Sequence, residues 1–227
     1  MFSLIYKTHT MTRDQYIAAV KAKLEEVSPF DDPATFVAAG DSAINTIKPI
    51  VSYIDAELDK AARHCLMVLP LVLLSKDIAA STTNATVGTD GVGYLGGVQT
   101  YWRLVRVKDN GGVWKRDVTA FISAADPLYL LQQNEYTRGG VAKPVVAYNP
   151  EEKKIELFSF PKPEEAGTES ITLYYIDGAK AAEAVSSDIG EYIVILCAAY
   201  VAEILQDTNR AKVLRTEFQE KVAAIEA

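Results

Sequence analysis

Apolar positions recur at helical spacing toward both ends of this chain and in short β-rich runs through its middle, which predicts helices enclosing a sheet. Near the start, Tyr16, Ile17, Val20, Leu24 and Val27 share one helical face. Thr12-Arg13-Asp14-Gln15 before them has capping-box spacing: a hydroxyl for an orphan N–H and a glutamine that reaches back. Ser28-Pro29 stops that helix, and Asp32-Pro33 predicts a second one through Ala38, broken at Gly40-Asp41-Ser42. A longer series, Ile44, Ile47, Val51, Ile54, Leu58, Ala61, Cys65 and Leu69, predicts the central helix. Pro49 falls in its first turns, where a missing N–H costs little, whereas Pro70 should kink or end it, with a bend near Val68.

The middle of the chain carries β-rich runs at Tyr101–Val107, Val113–Phe121, Val145–Tyr148, Ile155–Phe160 and Ile171–Ile176. Asp109-Asn110-Gly111-Gly112 separates the first two, and its Asn-Gly pair supplies the positive φ angles of a tight antiparallel hairpin. Asp126-Pro127 opens a short helix that the loop to Gly139-Gly140 follows. Asn149-Pro150-Glu151-Glu152 and the acidic loop Pro161–Thr168 are the later turns. In the fourth run Ile155, Leu157 and Ser159 alternate with Glu156, Phe158 and Phe160, which suits a strand covered on both faces. Ser81–Gly97 is polar and glycine-rich, with too little apolar surface to order itself, and is expected to be a loop packed against another chain.

Past Asp177-Gly178, Ser187-Asp188 caps a helix from Ile189 to Leu205, and Ile189, Tyr192, Ile193, Leu196, Cys197, Tyr200 and Ile204 form its apolar stripe. The central helix is its natural partner. A final helix restarts at Asp207-Thr208 with Leu214, Phe218, Val222 and Ile225 a turn apart. The fold class is therefore α+β: a helical body from the N- and C-terminal helices, residues 1–80 and 178–227, with an inserted antiparallel β-rich region at 81–177.

At 227 residues the chain can bury a sizeable core without disulfides, and Cys65 and Cys197 read as small buried hydrophobes inside helical patterns rather than a disulfide or metal pair. The apolar stretch Leu66–Leu74 is under half the roughly 20 residues a membrane span needs, and the start of the chain has no apolar run of signal-peptide length. A net charge of −7 disfavours gripping nucleic acid through its phosphates.

Candidate chemistry is sparse. His9 and His64 are the only histidines and have no second ligand at metal spacing; no nucleophile elbow, zinc-protease motif or phosphate-binding loop occurs. Gly91-Val92-Gly93-Tyr94-Leu95-Gly96 matches the dinucleotide fingerprint in letters, but no strand leads into it and no helix follows. No catalytic, cofactor-binding or metal-binding residue is assigned, and no cofactor is expected. Trp102, Trp114, Tyr129, Tyr136, Tyr148, Phe158 and Phe160, interleaved with Arg103, Arg106, Arg116 and Arg138, can stack on bases or form a protein interface, and the acidic total favours protein. The candidate interface comprises Tyr136, Thr137, Arg138 and Gly139, with Gly91, Gly93 and Gly96. The alternative for its two largest members is a core Tyr136 and an Arg138 paired locally with a carboxylate.

The order of motifs YWRLVRV, VWKRDVT, PLYLLQQNEYTRGGVAKPVVAY, KIELFSFP and ITLYYI, flanked by helical ends, resembles the ring-forming head-to-tail connector (portal adaptor) proteins of short-tailed and crAss-like bacteriophages. That resemblance implies a non-enzymatic virion protein of the portal vertex or neck, made in the host cytoplasm. It further implies a homo-oligomeric ring of about twelve copies, contacts with the portal protein and further tail or ring proteins, and DNA passing through the lumen without specific binding. The summed charge of such a ring is roughly −84, which would repel phosphates from its wall. The competing expectations are a ligand- or carbohydrate-binding module using the aromatic β face, and a carboxylate-based enzyme.

Overall fold

The computed structural model describes residues 10–27, 50–97, 102–149 and 152–226. The chain divides into two compact units, one formed by Met1–Asp77 with Gly178–Ala227 and the other by Ile78–Asp177. The fold is α+β, with five α-helices and a seven-stranded sheet among the described residues. The segment around Asp32-Pro33, the start of the central helical pattern including Pro49, and His9 lie outside the described residues.

In the helical unit, α1 (Arg13–Val27) begins with the capping box closed in both directions: Thr12 N–H donates to Gln15 Oε1 at 2.8 Å and Gln15 N–H to Thr12 Oγ1 at 3.3 Å. Its Tyr16, Val20 and Leu24 are buried. The helix α2 (Ile50–Val68) ends just before Pro70, whose ring cannot continue it. Ser186 accepts from Asp188 N–H and caps a short 3-10 turn, Ser187–Ile189, and α4 (Gly190–Ile204) follows. So α4 is buried on every side from Ile193 to Ala202 and packs against α1, α2 and α5 (Thr208–Glu226). Asp207 starts α5 by accepting from Arg210 N–H at 3.0 Å. Cys65 and Cys197 are free buried thiols, and burial pushes the Cys197 thiol up to about 12.

Asp77 closes the helical unit's side of the chain crossing. It is 2% exposed, and its Oδ1 accepts from Ser186 N–H at 3.1 Å and from Lys180 Nζ at 3.3 Å. Asp77 is the last residue before the inserted unit and Lys180 the third after it, so this one carboxylate ties the two chain passages together.

The inserted unit is a sheet in the order β3-β7-β1-β2-β6-β5-β4. Its strands are β1 (Ile78–Val87), β2 (Gly93–Gly96), β3 (Trp102–Asp109), β4 (Phe121–Ile122), β5 (Val145–Asn149), β6 (Lys154–Phe158) and β7 (Gly167–Asp177), with α3 (Pro127–Gln133) between β4 and β5. Neighbouring strands are antiparallel except β4 and β5, which pair in parallel, so the sheet is mixed rather than purely antiparallel.

Two expectations are corrected here. Ser81–Gly97 is not a loop: β1 pairs with β7 along its whole length and turns through residues 88–92 into β2. Ala85 and Val87 are buried while Asn84 and Thr86 are exposed, so the segment alternates like a strand, and its β-branched threonines favour that geometry. Nor do β3 and Val113–Phe121 form a regular hairpin, since they share only the bridge Val107 to Val118. The buried Asp109 carboxylate takes the N–H groups of Gly111, Val113 and Trp114 at 2.9, 2.6 and 2.9 Å, which turns those amides away from β3. The outer strand β3 pairs with β7 instead.

The core of this unit joins Val107, Trp114, Val118, Val146, Ile155, Leu157, Phe160, Ile171 and Leu173. Phe160 stacks on Trp114 with ring centroids 5.1 Å apart. Strict alternation would have put Phe160 beside Phe158, on the face opposite Leu157. Ser159 has φ +93°, which breaks the alternation and turns Phe160 into the cluster that holds Ile155 and Leu157.

Candidate functional site

The inserted unit's cleft is built where the end of α3, the β1–β2 turn and the exit of β6 meet. Asp126 opens α3 by accepting from Leu128 N–H at 2.8 Å. At its other end, Thr137 Oγ1 donates to Leu131 O at 2.6 Å, while Thr137 and Arg138 N–H donate to Asn134 O, so the turn satisfies carbonyls that the helix leaves open. Gln132, buried at the end of α3, accepts from Gly139 N–H through its side-chain oxygen at 2.9 Å.

Arg138 locks the corner. Its Nε donates to Gln132 O at 2.9 Å and its Nη1 to Asp90 O at 2.6 Å, joining α3 to the β1–β2 turn. These bonds use two of the five guanidinium N–H groups. Among the described residues no carboxylate lies within ion-pair distance of it. Glu135 stands near enough to feel its charge but pairs with Lys162.

Gly139 admits no side chain: a Cβ there would stand 2.7 Å from Lys143 O and from Val145 Cγ2, and 2.9 Å from Ser159 Oγ. Gly91, with φ +77°, is equally constrained, since a Cβ would come within 2.6 Å of Phe160 O. Gly93 faces Leu157 and Phe160 closely, while Gly96 has open space around it. Gly91 and Gly93 therefore serve packing within the unit, and no helix follows them in the way a dinucleotide site requires.

The result is a cleft of about 290 Å³ whose polar lining includes Asp90, Glu135, Arg138, Ser159 and Lys162. Ser159 is 3% exposed, and its hydroxyl has no partner among the described residues. A strained non-glycine φ and an unsatisfied buried donor thus coincide in one wall of the cleft.

The predicted interface residues separate by environment. Tyr136 is 89% exposed and is no core residue; Thr137 is exposed; Arg138 is half-buried and bound to backbone carbonyls rather than a carboxylate. Beside Tyr136 in sequence, Leu128, Leu130 and Leu131 of α3 are 51%, 72% and 46% exposed. Their spacing in a seven-residue helix gave no amphipathic signal that separates outward from inward leucines. The other aromatics are largely internal: Trp114, Phe158 and Phe160 are buried, and Tyr148 and Tyr175 are packed against the core.

Glu156 and His64 are engaged structurally. Glu156 accepts from Tyr129 at 2.5 Å and from Lys154 at 2.7 Å; burial, and then that bond, push the Tyr129 phenol up to about 12. His64 shares a 2.8 Å hydrogen bond with Tyr200, and burial followed by the charge of Arg215 lowers its pKa. Among the described residues no group of three or more His, Cys, Asp and Glu side chains could hold a metal, and no helix is long and apolar enough to cross a membrane. Compared with models of known protein families and with curated proteins, the sequence gives no match.

Proposed function

We propose that this chain is a non-enzymatic bacteriophage virion protein that assembles as a ring at the portal vertex and connects the portal to the tail. The observation that carries this is the exposure of Leu128, Leu130 and Leu131 of α3 and of Tyr136 in the turn after it. Leu130 and Tyr136 add little burial to their own unit, Leu128 and Leu131 are only about half-buried, and all four are side chains a protein partner can desolvate. The motif order around them, from PLYLLQQNEYTRGG to KIELFSFP, is the part of the sequence that resembles connector proteins.

The net charge of −7 fits a lumen wall along which DNA slides without adhering. A carbohydrate-binding β face would need several aromatic rings open on the sheet, whereas Trp114, Phe158 and Phe160 are buried and the exposed Tyr136 lies in the turn after α3. Native mass spectrometry of the full chain, alone and with the portal protein of the same virion, tests the proposal. Rings or portal-bound oligomers of about twelve copies are expected, with Leu130→Glu abolishing them while the monomer stays folded. A chain that stays monomeric and unbound in both samples would refute it.

A further inference from the structure

We propose that the cleft between Arg138 and Ser159 is a binding site for a single carboxylate group. The site lies within the inserted unit and does not depend on ring assembly. Arg138 is held rigid by Gln132 O and Asp90 O, which leaves three guanidinium N–H groups without a protein acceptor among the described residues. A planar, pre-oriented guanidinium is the donor that suits a carboxylate best, because its ordering entropy is already spent in folding. In the same wall the Ser159 hydroxyl, buried and without a partner, is a second donor, kept there at the cost of a φ of +93° that a glycine would adopt freely.

The charges limit the ligand to one negative charge. Lys162 and Glu135 neutralise each other as an ion pair, and the Asp90 side chain accepts from Val92 N–H at 3.0 Å. Arg138 and Lys162 together match Glu135 and Asp90 in charge, so every negative charge on a ligand works against those two carboxylates: one carboxylate is met by the open N–H groups of Arg138, whereas a phosphate would bring a second charge. The carboxylate can come from a small acid or from a Glu or Asp side chain of a partner protein. A few charge-assisted hydrogen bonds to an open cleft give a Kd of roughly millimolar order.

The test is a chemical-shift titration of the 15N-labelled full chain at constant ionic strength. The probes are sodium acetate, the peptide N-acetyl-Gly-Glu-Gly-amide and its Gln counterpart. Acetate and the Glu peptide should give saturable shifts at the Gly139, Gly140 and Lys162 amides, with the Gln peptide about tenfold weaker or more. Saturation by the Glu peptide alone assigns the site to an acidic segment of a protein; saturation by both assigns it to carboxylates generally. Arg138→Gln should weaken binding at least about tenfold, and Ser159→Gly, which suits the backbone and so keeps the fold, should weaken it severalfold. Shifts that stay linear to about 100 mM for both carboxylates, an equal Kd for the Gln peptide, or an unchanged Kd in folded Ser159→Gly would overturn the assignment.

Discussion

Two buried carboxylates organise backbone that no regular element satisfies. Asp109 accepts three amides, so Asp109→Ala strands them and should destabilise the inserted unit by about 2–3 kcal/mol, with Asp109→Asn costing about half as much. Urea unfolding followed by tryptophan fluorescence reads this directly, since both tryptophans, Trp102 and Trp114, belong to the inserted unit. Burial raises the phenol of Tyr16, and burial together with its bond to Glu156 that of Tyr129, from 10.0 to about 12. The folded chain then holds protons that the unfolded chain releases between about pH 10 and 12. This stabilisation is complete below pH 10 and is lost as pH rises through that window, so the melting temperature should fall steeply there. Phenolate absorbance should show Tyr16 and Tyr129 among the tyrosines that ionise late, and a melting temperature flat to pH 11.5 would contradict the assignment.

Elements whose determinants are local were legible in the sequence. The Thr12 capping box, the stop before Pro70, the Asp126-Pro127 start of α3 and the Asp207 start of α5 all depend on residues within a turn of one another. Elements whose partners are distant were not. β1 looked like a loop because its composition is polar, and its order comes from β7 some ninety residues away. Likewise the turn at Phe160 follows from the positive φ of Ser159, which no serine announces, and the cleft depends on side chains from three separated segments. Because β1 lies between β7 and, at its far end, β2, its ladder amides should resist hydrogen exchange in the isolated chain. Rapid exchange from Ser81 to Val87 without a partner would contradict this pairing. On α3 the opposite holds: Leu130 is outside the core, so Leu130→Ser should change stability by less than about 0.5 kcal/mol while weakening assembly, measured by urea unfolding and sedimentation.

At the scale of the whole molecule, the helical unit is interrupted once, between Asp77 and Gly178, by the β unit that carries both the cleft and the exposed α3 surface. Asp77→Ala removes the acceptor of Ser186 N–H and the partner of Lys180, and should destabilise the helical unit by about 2–4 kcal/mol, read by urea unfolding. Connector subunits that close only on their portal would look monomeric in isolation, so the decisive sample contains both proteins. Cryo-EM class averages of the full chain mixed with the portal protein of its own virion test the central claim. A closed ring of about twelve copies seated coaxially on the portal, with an open lumen, is the predicted result; bare portals beside dispersed monomers would contradict it.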